Sequence, residues 1–210
     1  YQFTNGFNYR INARQFSQSR LAITDATPAF GPATWIAPDV TYHDRTSFSV
    51  GGETFELRHA RGETDDHTFV WVPSRKTIAS GDFVIWAFPN CGNPQKVQRY
   101  PRDWARALRA MIALEPELLL PGHGLPVAGR ERIRTMLDDM ATALELLVEQ
   151  TVAVMNEGAS LDAIVATVRV PQEYLEKPYM RPTYDDPEFV VRNIWRLYGG
   201  WWDGNPAHLK

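Results

Sequence analysis

Cysteine is almost absent: Cys91 stands alone in 210 residues. That excludes an internal disulfide framework and leaves the redox compartment open. Long apolar runs are missing too, so no segment approaches the roughly 20 residues of a membrane-spanning helix. Nor does the opening resemble a signal peptide. There is no surplus of positive charge. Twenty-two Lys and Arg against 25 Asp and Glu leave a net charge of −3, which gives no electrostatic footprint for nucleic acid and no basic stripe for anionic lipid. Internal repeats and low-complexity segments are also wanting. What is present is a globular balance, 44% apolar and 22% charged, at a length suited to one ordinary domain or one domain plus part of another. The chain starts at Tyr1 and closes on Asn-Pro-Ala-His-Leu-Lys; both ends are expected to be cuts within a longer protein.

Hydrophobic spacing orders the rest. Residues 7–20 are expected to be at least partly helical, and the stretch 26–41, with Pro28, Pro32 and Pro38, to be an ordered loop. Alternation across 46–59, broken by Gly51-Gly52, predicts a β-hairpin. Short continuous apolar runs at 68–72 and 83–87 predict strands buried on both faces, and 118–120 a further buried strand. Pro101 and Asp103 open a helix with Trp104, Leu108 and Met111 on one face. From Arg130 to Asn156 the spacing of Ile133, Leu137, Met140, Leu144 and Leu147 predicts a long helix closed by Gly158. Ser160 caps another through Val168, and residues 187–199 form a last one. Strands come first and helices follow, which is α/β or α+β.

Three clusters at expected strand ends carry chemistry-bearing residues. His67 follows Glu63, Asp65 and Asp66; Asp82 follows Ser80-Gly81; His123 lies in Pro121-Gly122-His123-Gly124. Each has an ordinary reading, as a strand-start histidine, a turn aspartate and a loop histidine. Together they offer two imidazoles and a carboxylate, the donors a borderline ion such as zinc takes. Arg58, His59 and Arg61 would add positive potential near an anionic substrate, although lining the outside of a strand is the commoner use. Trp195, Trp201 and Trp202 read better as interface residues than as a stacking box.

The series Gly62-Glu63-Thr64-Asp65-Asp66-His67-Thr68, Gly81-Asp82 and Pro121-Gly122-His123-Gly124 resembles the second half of the metallo-β-lactamase fold, over about residues 45–130. The resemblance implies an αβ/βα sandwich in which His67 serves a first zinc, Asp82 bridges two, and His123 serves the second. A narrower resemblance is to the alkylsulfatase branch. It rests on the opening Asn8-x-x-Ile11-Asn12-x-Arg14-Gln15-Phe16 and on the close, Asn193 to Pro206, which looks like the start of that branch's dimerisation region. That branch implies an Asn and an Arg holding the sulfate group, matched by Asn90 and approximately by Lys96. Lysine would hold an anion as a point charge, without arginine's fork. Alkylsulfatases usually carry Glu at the positions of His67 and Asp82, so the ligand set here is nearer the general family. The family's His-x-His-x-Asp-His motif does not occur among the five histidines and is expected upstream of Tyr1.

The resemblance therefore implies a hydrolase with two zincs in the complete protein, Asp82 being catalytic as the bridging ligand, and a fragment inactive alone. Its expected substrate is a small ester, an alkyl sulfate first, and its expected assembly a homodimer through the C-terminal region. The expected division is 1–130 as the hydrolase portion and 131–210 as a helical segment leading into the dimerisation region. Two alternatives stand beside this: another ester, lactone or thioester on the same metals, or a non-catalytic binding or assembly module.

Overall fold

The computed structural model describes residues 37–94 and 96–199. The expected helix at 7–20, the Asn8–Phe16 motif, Trp201 and Trp202 lie outside those residues. The chain divides into two compact units, residues 1–41 with 95–97, and residues 42–94 with 98–210. Everything below concerns the second.

Among the described residues six strands make one sheet in sequence order: β1 (Arg45–Val50), β2 (Glu53–His59), β3 (Thr68–Val72), β4 (Thr77–Gly81), β5 (Leu118–Pro121) and β6 (Val127–Ala128). Gly51 and Gly52 turn β1 into β2 with φ of 60° and 81°, the left-handed pair that a tight hairpin requires. Phe48 and Phe55, opposite each other in the register, stack at 5.2 Å. All neighbours are antiparallel except β4 and β5, which run parallel. A parallel pair needs a crossover, and helix α1 (Pro101–Ile112) supplies it. Proline at its start, Asp103 in its first turn and buried Trp104, Leu108 and Met111 are the features that predicted it.

Helix α2 (Arg130–Asn156) packs against α1 and buries Ile133, Met136, Leu137, Met140, Leu144 and Leu147. It ends as expected: Glu157 is the cap and Gly158 follows at φ 81°. Ser160 caps α3 (Leu161–Thr167), its hydroxyl accepting from Ala163 N–H at 3.3 Å. The short α4 (Gln172–Leu175) and then α5 (Pro187–Tyr198) complete the described chain, and Asp186 caps α5 by accepting from Glu188 N–H at 2.8 Å. Trp195 on α5 is half-buried against the core. No helix among the described residues is long and apolar enough to cross a membrane.

Residues 83–87 are not the predicted strand. The chain turns sharply after β4: Val84 N–H donates to Gly81 C=O at 3.3 Å, and Trp86 takes a φ of 53°. Phe83, Val84 and Phe88 are nevertheless completely buried. Burial accounts for the apolar run without any ladder. An irregular segment buried between elements is as apolar as a central strand. The mixed α/β class holds, with the parallel pair running from 77 to 121 rather than from 83.

Candidate active site

The parallel pair creates the site. Strands β4 and β5 end side by side, and their carboxyl ends are where a crevice opens in parallel α/β arrangements. The register slips between Ala79 and Gly81, and Gly122 N–H reaches both Gly81 C=O at 2.9 Å and Val84 C=O at 3.0 Å. This lays the β5 loop against the β4 loop. A Cβ on Gly122 would meet the Asp82 Oδ1 atom at 2.1 Å, so only glycine allows that approach. As a result Asp82 Oδ1 and His123 Nε2 stand 3.5 Å apart, the imidazole largely exposed and the carboxylate mostly covered.

Asp82 is pushed up to about 6, first by burial, then by the hydrogen bond and negative charge of Glu63. His123 and Arg99 pull the other way without cancelling this. Two crowded carboxyls favour holding a proton between them, or a cation. Glu63 in turn accepts from Arg99 Nη2 at 2.5 Å and from Asn90 Nδ2 at 3.1 Å. Arg99 Nη1 also donates to the Asn90 carbonyl. Arg99 and Asn90 are both buried, which makes the arginine a central tie of the site.

His67 sits beneath this layer. Its ring stacks on Phe83 at 4.2 Å, Nδ1 accepts from Glu63 N–H at 3.2 Å, and Nε2 faces Gly81. Burial holds its pKa below the ordinary imidazole value, against the raising effect of Glu63 and Asp66. The Phe83 carbonyl accepts from Trp104 Nε1 at 3.3 Å, which fixes the floor under His67 to α1.

The five expected residues therefore fare differently. Asp82 and His123 come together. Asn90 joins them through Glu63. His67 lies next to Gly81, with Nδ1 engaged by a backbone donor. Lys96 belongs to the 95–97 segment of the other compact unit. Sequence reasoning missed two members, Glu63 as a site residue and Arg99. The signal for Arg99 was present: it is an arginine in the same loop as Lys96, where the branch was expected to supply one.

The fit to a metal is partial. Asp82 and His123 offer carboxylate and imidazole 3.5 Å apart, beside a second carboxyl, Glu63, that is paired with Arg99. Among the described residues, however, no three His, Cys, Asp or Glu side chains gather closely enough to hold an ion. A borderline ion takes at least three protein ligands, so no step through a metal is derived from these residues.

The descriptions of known families cover most of the chain. A model described as the metallo-beta-lactamase superfamily matches residues 7–123, and one described as alkyl sulfatase dimerisation matches residues 160–210. A linear primary-alkylsulfatase of Pseudomonas sp. is 29% identical over 182 residues, 85% of this chain and 34% of that protein. An (R)-specific secondary-alkylsulfatase of Pseudomonas sp. is 28% identical over 215 residues, 99% of this chain and 32% of the other. The chain thus spans about a third of the length of these relatives. The solved stereoselective inverting sec-alkylsulfatase Pisa1 from Pseudomonas sp. superposes with a TM-score of 0.76 at 27% identity, over 84% of this chain and 29% of that one. With its parallel strand ends, its Asp82–His123 pair and a family match over more than half its length, the chain belongs to the metallo-beta-lactamase superfamily and resembles its alkylsulfatase branch.

Proposed function

We propose that the complete protein hydrolyses sulfate esters of alkyl alcohols, with zinc held in part by Asp82 and His123, as a homodimer joined through its C-terminal region. The division at residue 130 belongs to the same reading. The observation that carries it is the Asp82–His123 pair at the ends of β4 and β5, with Glu63 crowding the carboxylate and Asn90 and Arg99 buried beside it. When bound, zinc would supply Lewis acidity toward water and toward the leaving oxygen.

The remaining roles belong to side chains. Asp82 and His123 would be two of the metal donors and His67 a third, its Nδ1 accepting here from the Glu63 N–H. Asn90 orients the anionic group through its amide. Arg99 neutralises Glu63, so the site holds one uncompensated carboxylate instead of two. Phe83 and Trp104 close the floor against water.

One observation favours a second reading, a non-catalytic module: His67 has its Nδ1 engaged by the Glu63 N–H and its ring by Phe83. Decyl sulfate turnover by the full-length protein, beside a carboxylic ester and a lactone, separates the readings, with zinc counted per chain. Hydrolysis of decyl sulfate above the other two is expected. Turnover of the lactone or carboxylic ester instead moves the substrate class, and no hydrolysis with less than one zinc bound supports the module.

A further inference from the structure

Helix α5 reaches into this site from the far end of the chain. Asn193 is buried on α5, and its amide is divided between two jobs. Its Nδ2 donates to the Arg99 carbonyl at 2.8 Å. Its Oδ1 accepts from Gln98 Nε2 and from Arg196 Nη2, each at 2.9 Å, and from Arg99 N–H at 3.4 Å. Arg196 Nε also donates to Gln98 Oε1 at 2.9 Å. The backbone of residue 99 therefore meets one side chain with both its donor and its acceptor, in a buried place, and Gln98 Nε2 gives the carbonyl a second donor at 2.9 Å. A buried group left without its partner incurs the full cost of its desolvation.

What hangs from that backbone is the Arg99 guanidinium. It spans Glu63 and the Asn90 carbonyl, while Asn90 reaches Glu63 through its own amide. The same helical region holds the other end of the Asn90 loop. Asp185, buried, accepts from Gly92 N–H at 2.8 Å, and Phe88 N–H donates to Arg181 C=O at 3.0 Å. A Cβ on Gly92 would strike the backbone of Phe189 and Val190 at 2.2 Å. Phe88, Gly92, Gln98 and Arg99 are thus all seated on residues 181–196.

We propose that Asn193 is a positioning residue of the site: by fixing Arg99 it sets Glu63 and Asn90, so that the C-terminal helix is a working part of the anion-holding loop. This rests on the function proposed above and deepens it. The helix lies within the segment matched by the dimerisation model, so whatever assembles through that segment acts on the loop through Asn193 and Asp185.

The test uses the full-length protein with decyl sulfate as substrate and inorganic sulfate as competing anion. Asn193→Leu removes both jobs of the amide, whereas Asn193→Asp keeps the acceptor and loses the donor. The expected result is that KM for decyl sulfate and the inhibition constant for sulfate rise roughly tenfold or more in Asn193→Leu, about 1.4 kcal/mol per decade. The rise should be smaller in Asn193→Asp, with kcat changed less than KM in both. A merely structural role would lower the amount of active enzyme and leave KM and the inhibition constant where they were; that outcome overturns the proposal. If Asn193→Leu does not fold, Asn193→Asp alone decides: wild-type constants overturn the idea, a raised KM supports it. A wild-type protein without sulfatase activity would instead defeat the proposed function. Sulfate binding by calorimetry in the same variants still reads the positioning role in that case.

Discussion

Two regions of this molecule are built on opposite terms. The helical region, residues 130–198, buries an apolar face continuously: Ile133, Leu137, Met140, Leu144 and Leu147 on α2 and Val190, Val191 and Ile194 on α5 lie in one buried core, and the two helices pack together. Its buried polar groups are few: Asp139 accepts from both Lys177 Nζ and Tyr179 Oη at 2.6 Å, while Thr151 Oγ1 and Asp185 Oδ1 are buried without a protein partner. The strand-end region, residues 60–94 and 98–99 with 121–124, is built around charge. It crowds Glu63 against Asp82, turns His67 under Gly81, and leaves Asn90 Oδ1 and Arg99 Nε buried without a protein partner. The helices stabilise the molecule, and the strand ends use that stability to hold groups no loop would gather unaided.

The sharpest way to break this contrast is Asp82→Asn in the full-length protein. On the proposed zinc role, loss of this carboxylate should lower decyl sulfate turnover by roughly one to three orders of magnitude. It should also release bound zinc, counted by metal analysis. Full activity with metal retained would reduce Asp82 to a turn residue.

Next in size is the helical side. Leu144→Ala empties space in a fully buried part of α2 and should cost about 2–5 kcal/mol in denaturant unfolding. Were the loss below 1 kcal/mol, the helices would not be the stabilising partner. Gly122→Ala should fall between the regions. The Cβ would collide with Asp82 and with the backbone of Gly81, so the β4 and β5 loops must part. Zinc affinity should drop with only a modest loss of stability. Unchanged zinc binding would show that the close approach is not needed.

The two regions also differed in how far they could be read from sequence. The hairpin at Gly51-Gly52, helix α1, helix α2 with Gly158, and the Ser160 cap all follow from residues within a few positions of one another, and all are observed. The run 83–87 misled because periodicity reports burial and not hydrogen bonding. Asp82 and His123 were legible as strand-end residues, since glycine beside each marked a tight turn. Arg99 and Glu63 were not, because their meeting joins positions 36 apart through a guanidinium with no local signature. Lys96 was chosen by spacing from Asn90, while the arginine that binds the Asn90 carbonyl lies three residues further on. Nothing local hinted that Asn193, 94 residues from Arg99, would hold it.

The smallest expected effect concerns the metal-free chain, and its sign separates function from stability. Burial and Glu63 raise Asp82 to about 6, from an ordinary aspartate value of 3.8. A raised carboxyl means that the folded state binds a proton more tightly than the unfolded one. The linked stability is fully present below about pH 4 and is lost as pH climbs through about 6. Between pH 7.5 and pH 5, in chelator, this pair should therefore stabilise the fold on acidification, opposite to the loss expected of salt-bridged carboxylates. Because Asp82 is only half-buried, screening keeps the effect small, about 1–3 °C in Tm for a chain of this size. Asp82→Asn should flatten that dependence and leave the metal-free chain slightly more stable at pH 7.5, although it destroys turnover. The quantity to measure is the difference between wild-type and Asp82→Asn melting curves across pH, which cancels the other titrating groups. If the wild-type chain were instead the more stable at pH 7.5, Glu63 and Asp82 would not be in conflict, and the strand ends would be as relaxed as the helices.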